Sequence, residues 1–367
     1  MDQLKGQMGI REFYAIIVII VGTKLGDDTP TILFKHLETA TWIAPIIIGA
    51  VSIFPLFLLH KTLDLYGNKN LAEIILNLFG KYLGFIILFI LFAIFFSALT
   101  IDSATYGNLI STMYFTKTPF IVIYALSMAL CAYGAKKGIK HIGSVTWALL
   151  IYIKIALLVV LLLLFVQGES SFIFPIFGPG KWEVIKQSVT HSSIYVDLFY
   201  LALLFPLISE KKSYKKGIWI GLSFVTIELS VAIMGYVMLF DYIGVKMMNY
   251  PFHEAIRYFE IGFLINVETF FFPFWLVAAF LRFTVYLYLN ALLFSYIFRI
   301  KKFNYLIPVM ATLAVVLGLI PESPSFTLIH LREKLIYITT PIFLIFPFVI
   351  WIFGRIKGVK NNENVSN

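Results

Sequence analysis

The chain has 367 residues, of which 60% are hydrophobic and only 13% are charged, and its formal net charge is +9. A soluble domain could not cover so apolar a composition with polar surface, so the composition predicts an all-α membrane protein. A single cysteine, Cys131, excludes an intramolecular disulfide and a metal site built from a cysteine cluster.

Ten stretches of roughly 20 apolar residues follow one another along the chain, the length that a membrane helix needs. The predicted spans are 11–35, 41–60, 83–112, 119–134, 142–166, 188–209, 217–240, 264–298, 303–320 and 335–354. With the N-terminus in the cytoplasm, eighteen of the 29 lysines and arginines fall on the inner side and eight on the outer side. The positive-inside rule therefore predicts ten spans with both termini cytoplasmic, and it explains the net charge without a nucleic-acid partner.

The first span contains the stretch GTKLGDDTP, which begins at Gly22. Its glycines, proline and three charges disfavour a continuous membrane helix. Irregular backbone at membrane depth is stable only where protein or a water-filled cavity surrounds it. The sequence therefore predicts a broken helix whose unwound middle lines a binding site, with backbone groups of Gly22, Thr23 and Gly26 close to the ligand. In the alternative interpretation, the helix ends at Val21 and a polar loop follows.

Ten spans divide into two sets of five, and a repeat with an odd number of spans must insert in the opposite sense. This predicts a single transmembrane domain over 1–367, made of inverted repeats at about 9–167 and 184–355. Spans 1 and 6 then correspond. Span 6 is also interrupted by polar residues, and Pro206 follows them: His191, Ser192, Ser193, Tyr195 and Asp197. The ligand pocket is predicted to form from these two breaks, with spans 3 and 8 as its walls.

Two connecting segments have the periodicity of short amphipathic helices that lie on a membrane surface. Leu71–Phe79 is expected to form one on the cytoplasmic side, and Phe252–Ile261 is expected to form one on the outer side. Both segments are therefore predicted to be helical rather than extended connectors.

Several other spans carry polar side chains: Asp102 and Tyr106 in span 3, Glu228 in span 7, and Arg282 and Tyr286 on one face of span 8. An intramembrane charge is a functional-site hypothesis by default. The alternative is structural ion pairing, because the intramembrane cations nearly balance the anions. These charges are Lys24, Lys154 and Arg282 against Asp27, Asp28, Asp102, Asp197 and Glu228.

Lys154 stands in the middle of span 5, roughly 15 Å or more from either end at helical rise. Its side chain cannot reach the interface from that depth, so the ammonium needs acceptors on another helix. The break in span 1 offers them: the carbonyls around Val21–Thr23 and the carboxylate of Asp27 or Asp28. An ammonium there would clamp the broken helix to span 5 and take the place of a bound sodium ion, which predicts sodium independence.

No catalytic constellation is present in the sequence. It contains no P-loop, no His-Glu-x-x-His, no Gly-x-Ser-x-Gly and no paired-cysteine zinc motif. The six histidines are scattered, mostly at the ends of spans. The sequence therefore predicts a protein that is not an enzyme and that has no catalytic residue, metal or cofactor.

Several short motifs follow one another along essentially the whole chain. They are Gly9-Ile10-Arg11-Glu12-Phe13, the break at Gly22-Thr23, Trp42-Ile43-Ala44, Leu71–Ile75 followed by Gly80-Lys81-Tyr82-Leu83-Gly84, and Pro175 and Pro206 before the basic loop Lys211–Lys216. In this order and spacing they resemble the spore germination permease family. Its members are the B subunits of nutrient germinant receptors in endospore-forming bacteria.

The resemblance implies a fold of the amino acid–polyamine–organocation transporter superfamily, with a five-plus-five inverted repeat. It also implies the spore inner membrane as location, an A-type membrane subunit and a C-type lipoprotein subunit as partners, and a small nutrient, in most relatives an amino acid, as ligand. Many relatives carry a second glycine where this chain has Lys24. Either the ligand is held differently here, or Lys24 and the aspartates after it form an internal latch. Lys154 resembles a span-5 lysine of some superfamily permeases, whose ammonium takes the place of a sodium ion.

The sequence as a whole predicts a germinant-sensing receptor subunit that binds a small nutrient in a transporter-like pocket at mid-membrane. The alternatives are a proton-coupled amino acid transporter and a structural scaffold for the A-type subunit without a ligand. The candidate ligand-binding residues are Gly22, Thr23, Lys24, Gly26, Asp102, Tyr195, Asp197, Arg282 and Tyr286, and the candidates for ion coupling are Lys154, Asp27 and Asp28.

Overall fold

The computed structural model describes residues 8–259, 267–321 and 324–363, and this part of the chain is helical without a strand. The α-helices are α1 (Ile10–Gly22), α2 (Thr29–Leu37), α3 (Ala44–Tyr66), α4 (Leu71–Leu109), α5 (Phe120–Lys136), α6 (Ile139–Gln167), α7 (Lys181–Thr190), α8 (Asp197–Tyr200), α9 (Lys211–Met247), α10 (Pro251–Tyr258), α11 (Val267–Phe298), α12 (Leu306–Gly318) and α13 (Pro324–Glu363). The prediction of an all-α membrane protein is confirmed.

Six helical stretches of the described residues are long and apolar enough to cross a membrane. A seventh is added if the bent pair Lys181–Thr190 and Ser192–Leu207 counts as one span. Two further apolar helices, Phe120–Lys136 and Phe303–Gly318, have at most 17 residues. The count of ten spans therefore stays a prediction.

α1 is the central helix of the bundle and packs against α6, α9 and α11. Ala15 and the residues after it as far as Gly22 are buried on every side, as expected for a helix that is apolar all round. α6 differs, because it buries Val160 and exposes Ile151 and Leu158. Such a helix has one face on the bundle and one face on lipid, so the break that follows α1 lies inside protein and not at the lipid surface.

Both predicted breaks are confirmed. α1 ends at Gly22, a 3₁₀ turn covers Thr23–Gly26, and α2 then begins with Pro30 in its first turn, where a missing amide costs nothing. The alternative of a polar loop after Val21 is wrong, since the 3₁₀ turn and α2 follow α1. In span 6 the chain bends by 47° between Lys181–Thr190 and the helical turns that follow it.

The predicted surface helix Leu71–Phe79 forms the first part of α4. Asn70 and Glu73 make a capping box at its start, in which each side chain accepts the other residue's amide at 2.9 Å. The helix ends at Gly80, whose φ of 76° only glycine adopts without strain. The second predicted surface helix corresponds to α10, and residues 260 and 261 of that prediction lie outside the described residues.

α13 is the longest helix, with 40 residues, and it packs against α3 and α4. Near its end, the Lys357 ammonium donates to the carbonyls of Asn77 at 3.1 Å and Leu78 at 2.6 Å. These carbonyls belong to the last turn of the surface helix, where the break at Gly80 removes their helical partners. α13 is therefore anchored to the surface helix at this end of the molecule.

Candidate functional site

The 3₁₀ turn Thr23–Gly26 leaves carbonyl groups without partners in its own helix, and neighbouring helices supply hydroxyls to them. Tyr106 of α4 donates to the Thr23 carbonyl at 2.9 Å, and Tyr236 of α9 donates to the Leu25 carbonyl at 3.1 Å. The Thr23 hydroxyl donates back to the Ile19 carbonyl at 2.8 Å. The unwound backbone is thus held between α4 and α9, with these polar groups satisfied in an apolar interior.

Lys24 connects the first break to the second. Its ammonium lies 2.5 Å from Oδ2 of Asp197 and also donates to the Ile194 carbonyl. Asp197 accepts a further hydrogen bond, at 2.6 Å, from the hydroxyl of Tyr286 on α11. Lys24 and Asp197 are both buried, so this pairing replaces the water that each charge has lost.

Two buried arginines bind the aspartates of the first break. Arg282 of α11 donates to Asp27 at 2.9 Å and to Asp102 of α4. Arg332 of α13 donates to the same Asp27 oxygen at 2.7 Å and to Asp28, and its Nε lies 3.5 Å from Asp102. These five side chains form one ion-pair network that joins span 1 to spans 3, 8 and 10.

Arg332 is a site residue that the sequence analysis missed. The predicted boundary of span 10 at residue 335 puts Arg332 in an outer loop, whereas α13 begins at residue 324 and carries it into the interior. The sequence indicated that a cation was missing, because the predicted spans contain three cationic side chains and five carboxylates. Buried carboxylates in excess require another cation, and the ends of adjacent spans are the places to look for it.

The predicted partners of Lys154 are wrong. Its ammonium donates to both carboxylate oxygens of Glu228 on α9, at 2.6 and 2.7 Å, whereas Asp27 and Asp28 are held by arginines. A carboxylate that accepts two charge-assisted hydrogen bonds satisfies an ammonium better than backbone carbonyls do. The predicted location is correct, since a Cβ built on Gly22 would lie 3.2 Å from the Lys154 ammonium.

A cavity of about 50 Å³ lies between the two breaks, and we call it the first cavity. Its charged and tyrosine lining consists of Lys24, Asp102, Asp197, Tyr200, Tyr286 and Arg332. α13 forms a wall that was not predicted, with Leu335, Ile336 and Thr339. A volume of this size holds about four water-sized groups, so only a very small ligand fits without movement of the helices.

Arg282 is a predicted ligand contact that does not line the first cavity. It is fully buried, and its two terminal nitrogens are occupied by Asp27 and Asp102. Its place in the site is therefore to hold Asp102, which does line the cavity. Across the described residues, no group of three or more histidine, cysteine, aspartate or glutamate side chains could hold a metal ion.

A second cavity, also of about 50 Å³, lies on the other side of the turn. Its lining includes Gly22, Thr23, Gly26, Lys154 and Trp275, together with apolar side chains of α6 and α11. The residues predicted to form one pocket are thus divided between two cavities. The reason is the turn itself, because successive residues of a 3₁₀ helix point about 120° apart, which sends Lys24 and Thr23 to different sides.

Tyr195 does not share a cavity with Asp102, contrary to the prediction. It is fully buried and lines a separate cavity of about 10 Å³ beside Leu33 and Ile48. Asp197, two residues further on, lines the first cavity with Asp102. The second break is also a 3₁₀ turn, Ser192–Tyr195, so it too sends neighbouring side chains in different directions.

Known proteins resemble this chain over almost its whole length. Spore germination protein KB of Bacillus subtilis (strain 168) is 24% identical, with 98% of this chain and 98% of that protein covered. Spore germination protein XB of Bacillus anthracis is 22% identical, with 95% of this chain and 98% of that protein covered.

Solved structures that resemble this fold include transporters. MHP1, a nucleobase-cation-symport-1 family transporter in a closed conformation with bromovinylhydantoin bound, superposes with a TM-score of 0.66 at 12% identity. That alignment covers 93% of this chain and 78% of MHP1. A mutant of the manganese transporter of Eremococcus coleocola gives a TM-score of 0.57 at 12% identity and covers 96% of this chain and 82% of that one. At such identity the likeness shows the fold alone.

A sequence profile described as "Spore germination protein" matches residues 12–327 of this chain. Proteins of this family and the transporter neighbours are non-enzymatic membrane proteins, in agreement with the absence of a catalytic motif in the sequence. The profile match, the relatives and the membrane fold together show that the chain belongs to the spore germination permease family.

Proposed function

We propose that this protein is the membrane-embedded germinant-sensing subunit of a spore nutrient receptor, and that it binds a small amino acid in the first cavity. The observation that carries the proposal is the position of that cavity between two broken helices, where both cationic and anionic side chains line it. Broken helices that meet near mid-membrane form the substrate sites of many secondary transporters. A receptor with the same fold can use such a site to detect a ligand.

The charges around the first cavity suit a zwitterion. Lys24 and Arg332 can attract a carboxylate, and Asp102 and Asp197 can attract an ammonium group. Each of these side chains already has a partner of opposite charge, so a ligand must compete with an internal ion pair. Entry of an amino acid is therefore expected to loosen the contact between Lys24 and Asp197, which joins the two breaks.

We place the protein in the spore inner membrane as a single transmembrane domain with inverted repeats at about 9–167 and 184–355 and with both termini cytoplasmic. The distribution of lysine and arginine along the sequence supports this orientation. An A-type membrane subunit and a C-type lipoprotein subunit are the proposed partners, on the basis of family membership.

Asp197→Asn tests the ligand site. The change keeps an oxygen that accepts from Tyr286 but removes the charge facing Lys24. Because a hydrogen bond to a charged group contributes about 1.5–3 kcal/mol, we expect amino acid binding to weaken at least tenfold while membrane insertion is kept. Calorimetric titration of the purified protein with a panel of amino acids measures this. Asp64→Asn, at an exposed carboxylate outside the cavity, is the control, and equal affinity of the two variants would refute the site.

The variant Gly22→Ala tests whether the close packing around the first break is needed for the nutrient response of the spores. The added Cβ would lie 2.6 Å from Oε1 of Glu228, so the carboxylate must move. Since that atom ends a side chain, we expect a loss of about 1 kcal/mol in unfolding free energy and a weakened nutrient response of the spores. Gly244→Ala is the control, because the nearest atom to its Cβ is 3.5 Å away. An unchanged response in Gly22→Ala would contradict the proposed role.

The second candidate function is a proton-coupled amino acid transporter, which the transporter fold and the ion pair of Lys154 with Glu228 favour. Uptake of radiolabelled amino acids into vesicles that contain the purified protein separates the two functions. We expect binding without accumulation. Sustained accumulation that follows a proton gradient would replace the receptor proposal with the transporter.

The third candidate is a structural scaffold without a ligand. It is favoured by the complete pairing of the intramembrane charges that the sequence analysis singled out. A scaffold would bind no amino acid of the panel, and its charge variants would change only stability. The titration described for Asp197→Asn therefore decides between a scaffold and a receptor.

A further inference from the structure

A basic cleft lies at one end of the molecule, where the connection between α5 and α6 meets the connection between α11 and α12. Its volume is about 760 Å³. Its cationic lining consists of Lys136, Lys137, Lys140, Lys301 and Lys302, with His141 beside them, and no carboxylate of the described residues lines it. Within the described part of the chain, none of the five lysines forms a salt bridge, so no carboxylate of that part neutralises them directly.

The start of α6 adds a second source of positive potential to this cleft. Gly138, with φ of 87°, turns the chain so that α6 begins at Ile139 inside the cleft lining. The cap residue has no side chain to accept from the first amides of this 29-residue helix. Free amides and the helix dipole favour an anion at such a position, and five lysines line the same cleft.

An apolar groove continues from the basic cleft along the outside of the bundle. It runs between α5 and α12, has a volume of about 420 Å³, and shares Lys136 with the cleft. Its floor is made of small side chains, among them Ala125, Ala129, Ala132 and Ala311. From Lys136 to Ala125 the helix rises about 16 Å, which is close to half of the roughly 30 Å hydrocarbon core of a bilayer.

We infer that this surface binds an anionic phospholipid, with its phosphate headgroup in the basic cleft and one acyl chain in the groove between α5 and α12. The cleft supplies the charge that the headgroup needs, and the groove has the depth of one leaflet. Tyr288, Asn304 and Tyr305 also line the cleft and can hydrogen-bond to phosphate or glycerol oxygens. A free phosphate ion would use the cleft but would leave the groove without a role.

The test is native mass spectrometry of the purified full chain, which counts bound lipid molecules. Phosphatidylglycerol, phosphatidylcholine with the same chains, and inorganic phosphate are the probes. We expect phosphatidylglycerol to bind more tightly than phosphatidylcholine. In the triple variant Lys136→Gln/Lys140→Gln/Lys301→Gln this preference should fall about a hundredfold, since each lysine near an anionic lipid is worth about fivefold.

A matched control removes the same charge elsewhere. Lys212→Gln/Lys215→Gln/Lys216→Gln changes three exposed lysines that do not line the cleft and should keep the preference for phosphatidylglycerol. The groove is tested by Ala129→Phe, an exposed position whose larger side chain fills the groove and should lower lipid occupancy severalfold. Ala148→Phe, on the exposed face of α6, is its control.

Three outcomes would overturn the inference. The first is equal binding of phosphatidylglycerol and phosphatidylcholine by the unchanged protein. The second is displacement of phosphatidylglycerol by an equal concentration of inorganic phosphate, which would make the cleft a site for the free ion. The third is unchanged lipid binding in Ala129→Phe, which remains informative even if the triple lysine variant fails to fold.

Discussion

Replacing Arg332 with methionine should be the most destabilising single change in the ion-pair network. The side chain is buried and contacts Asp27, Asp28 and Asp102. Among the described residues, its loss leaves these three carboxylates with Arg282 as their remaining ion-pair partner. Removing one partner of a buried pair typically costs about 3–5 kcal/mol, because an uncompensated charge is left behind. We expect a large fall in thermal unfolding temperature in detergent and a low yield of folded protein.

A second substitution separates charge from packing in this experiment. Arg332→Met combined with Asp28→Asn removes both members of one pair and should recover a large part of the lost stability. Arg257→Met is the surface control, because its ion pair with Glu268 is partly exposed and should contribute less than about 1 kcal/mol. Equal destabilisation by Arg332→Met and Arg257→Met would show that the buried network does not support the fold.

Lys154→Met should reduce the nutrient response of the spores more than it reduces the thermal stability of the protein. The ammonium holds the Glu228 carboxylate beside the first break, 2.6 Å from where a Cβ of Gly22 would lie. Without it the carboxylate is left in an apolar place, which we expect to cost up to about 3 kcal/mol. Thermal unfolding and germination at graded amino acid concentrations measure the two effects side by side.

Two further measurements test the role of Lys154. Lys154→Met with Glu228→Gln removes the uncompensated charge, so it should restore stability while the nutrient response stays low. We also expect ligand binding by the unchanged protein to be equal in sodium and potassium buffers, because the Lys154 ammonium provides a fixed cation beside the break. A response that requires sodium, or a normal response in the double variant, would contradict this role.

The sequence predicted the breaks well because their causes are local. Gly22, Gly26 and Pro30 stand within one short stretch, and each disfavours a continuous helix wherever it is placed. The surface helix Leu71–Phe79 was predictable for the same reason, since its periodicity and the turn at Gly80 depend on residues that are adjacent in the sequence. Hydropathy was sufficient to predict a helical membrane protein, because bilayer thickness sets the length of each span.

The partners within the site depend on distant residues, and this is where prediction failed. Nothing near Lys154 in the sequence points to Glu228, which lies 74 residues away. Arg332 was missed because a hydropathy boundary ends at the first charged residues, whereas the buried aspartates of span 1 allow an arginine to enter the interior. The assignment of Tyr195 failed because side-chain direction in a 3₁₀ turn changes with every residue.

α13 holds the ion-pair network at one point and the surface helix at another. Arg332 and Lys357 lie on this one helix, about 37 Å apart at helical rise, and Lys357 caps the carbonyls of Asn77 and Leu78. Pro341 and Pro347 lie between these two contacts, and each removes a backbone hydrogen bond from the helix. A shift of Arg332 would therefore reach the surface helix along the backbone of α13 itself, and the two prolines are the points at which that helix would bend.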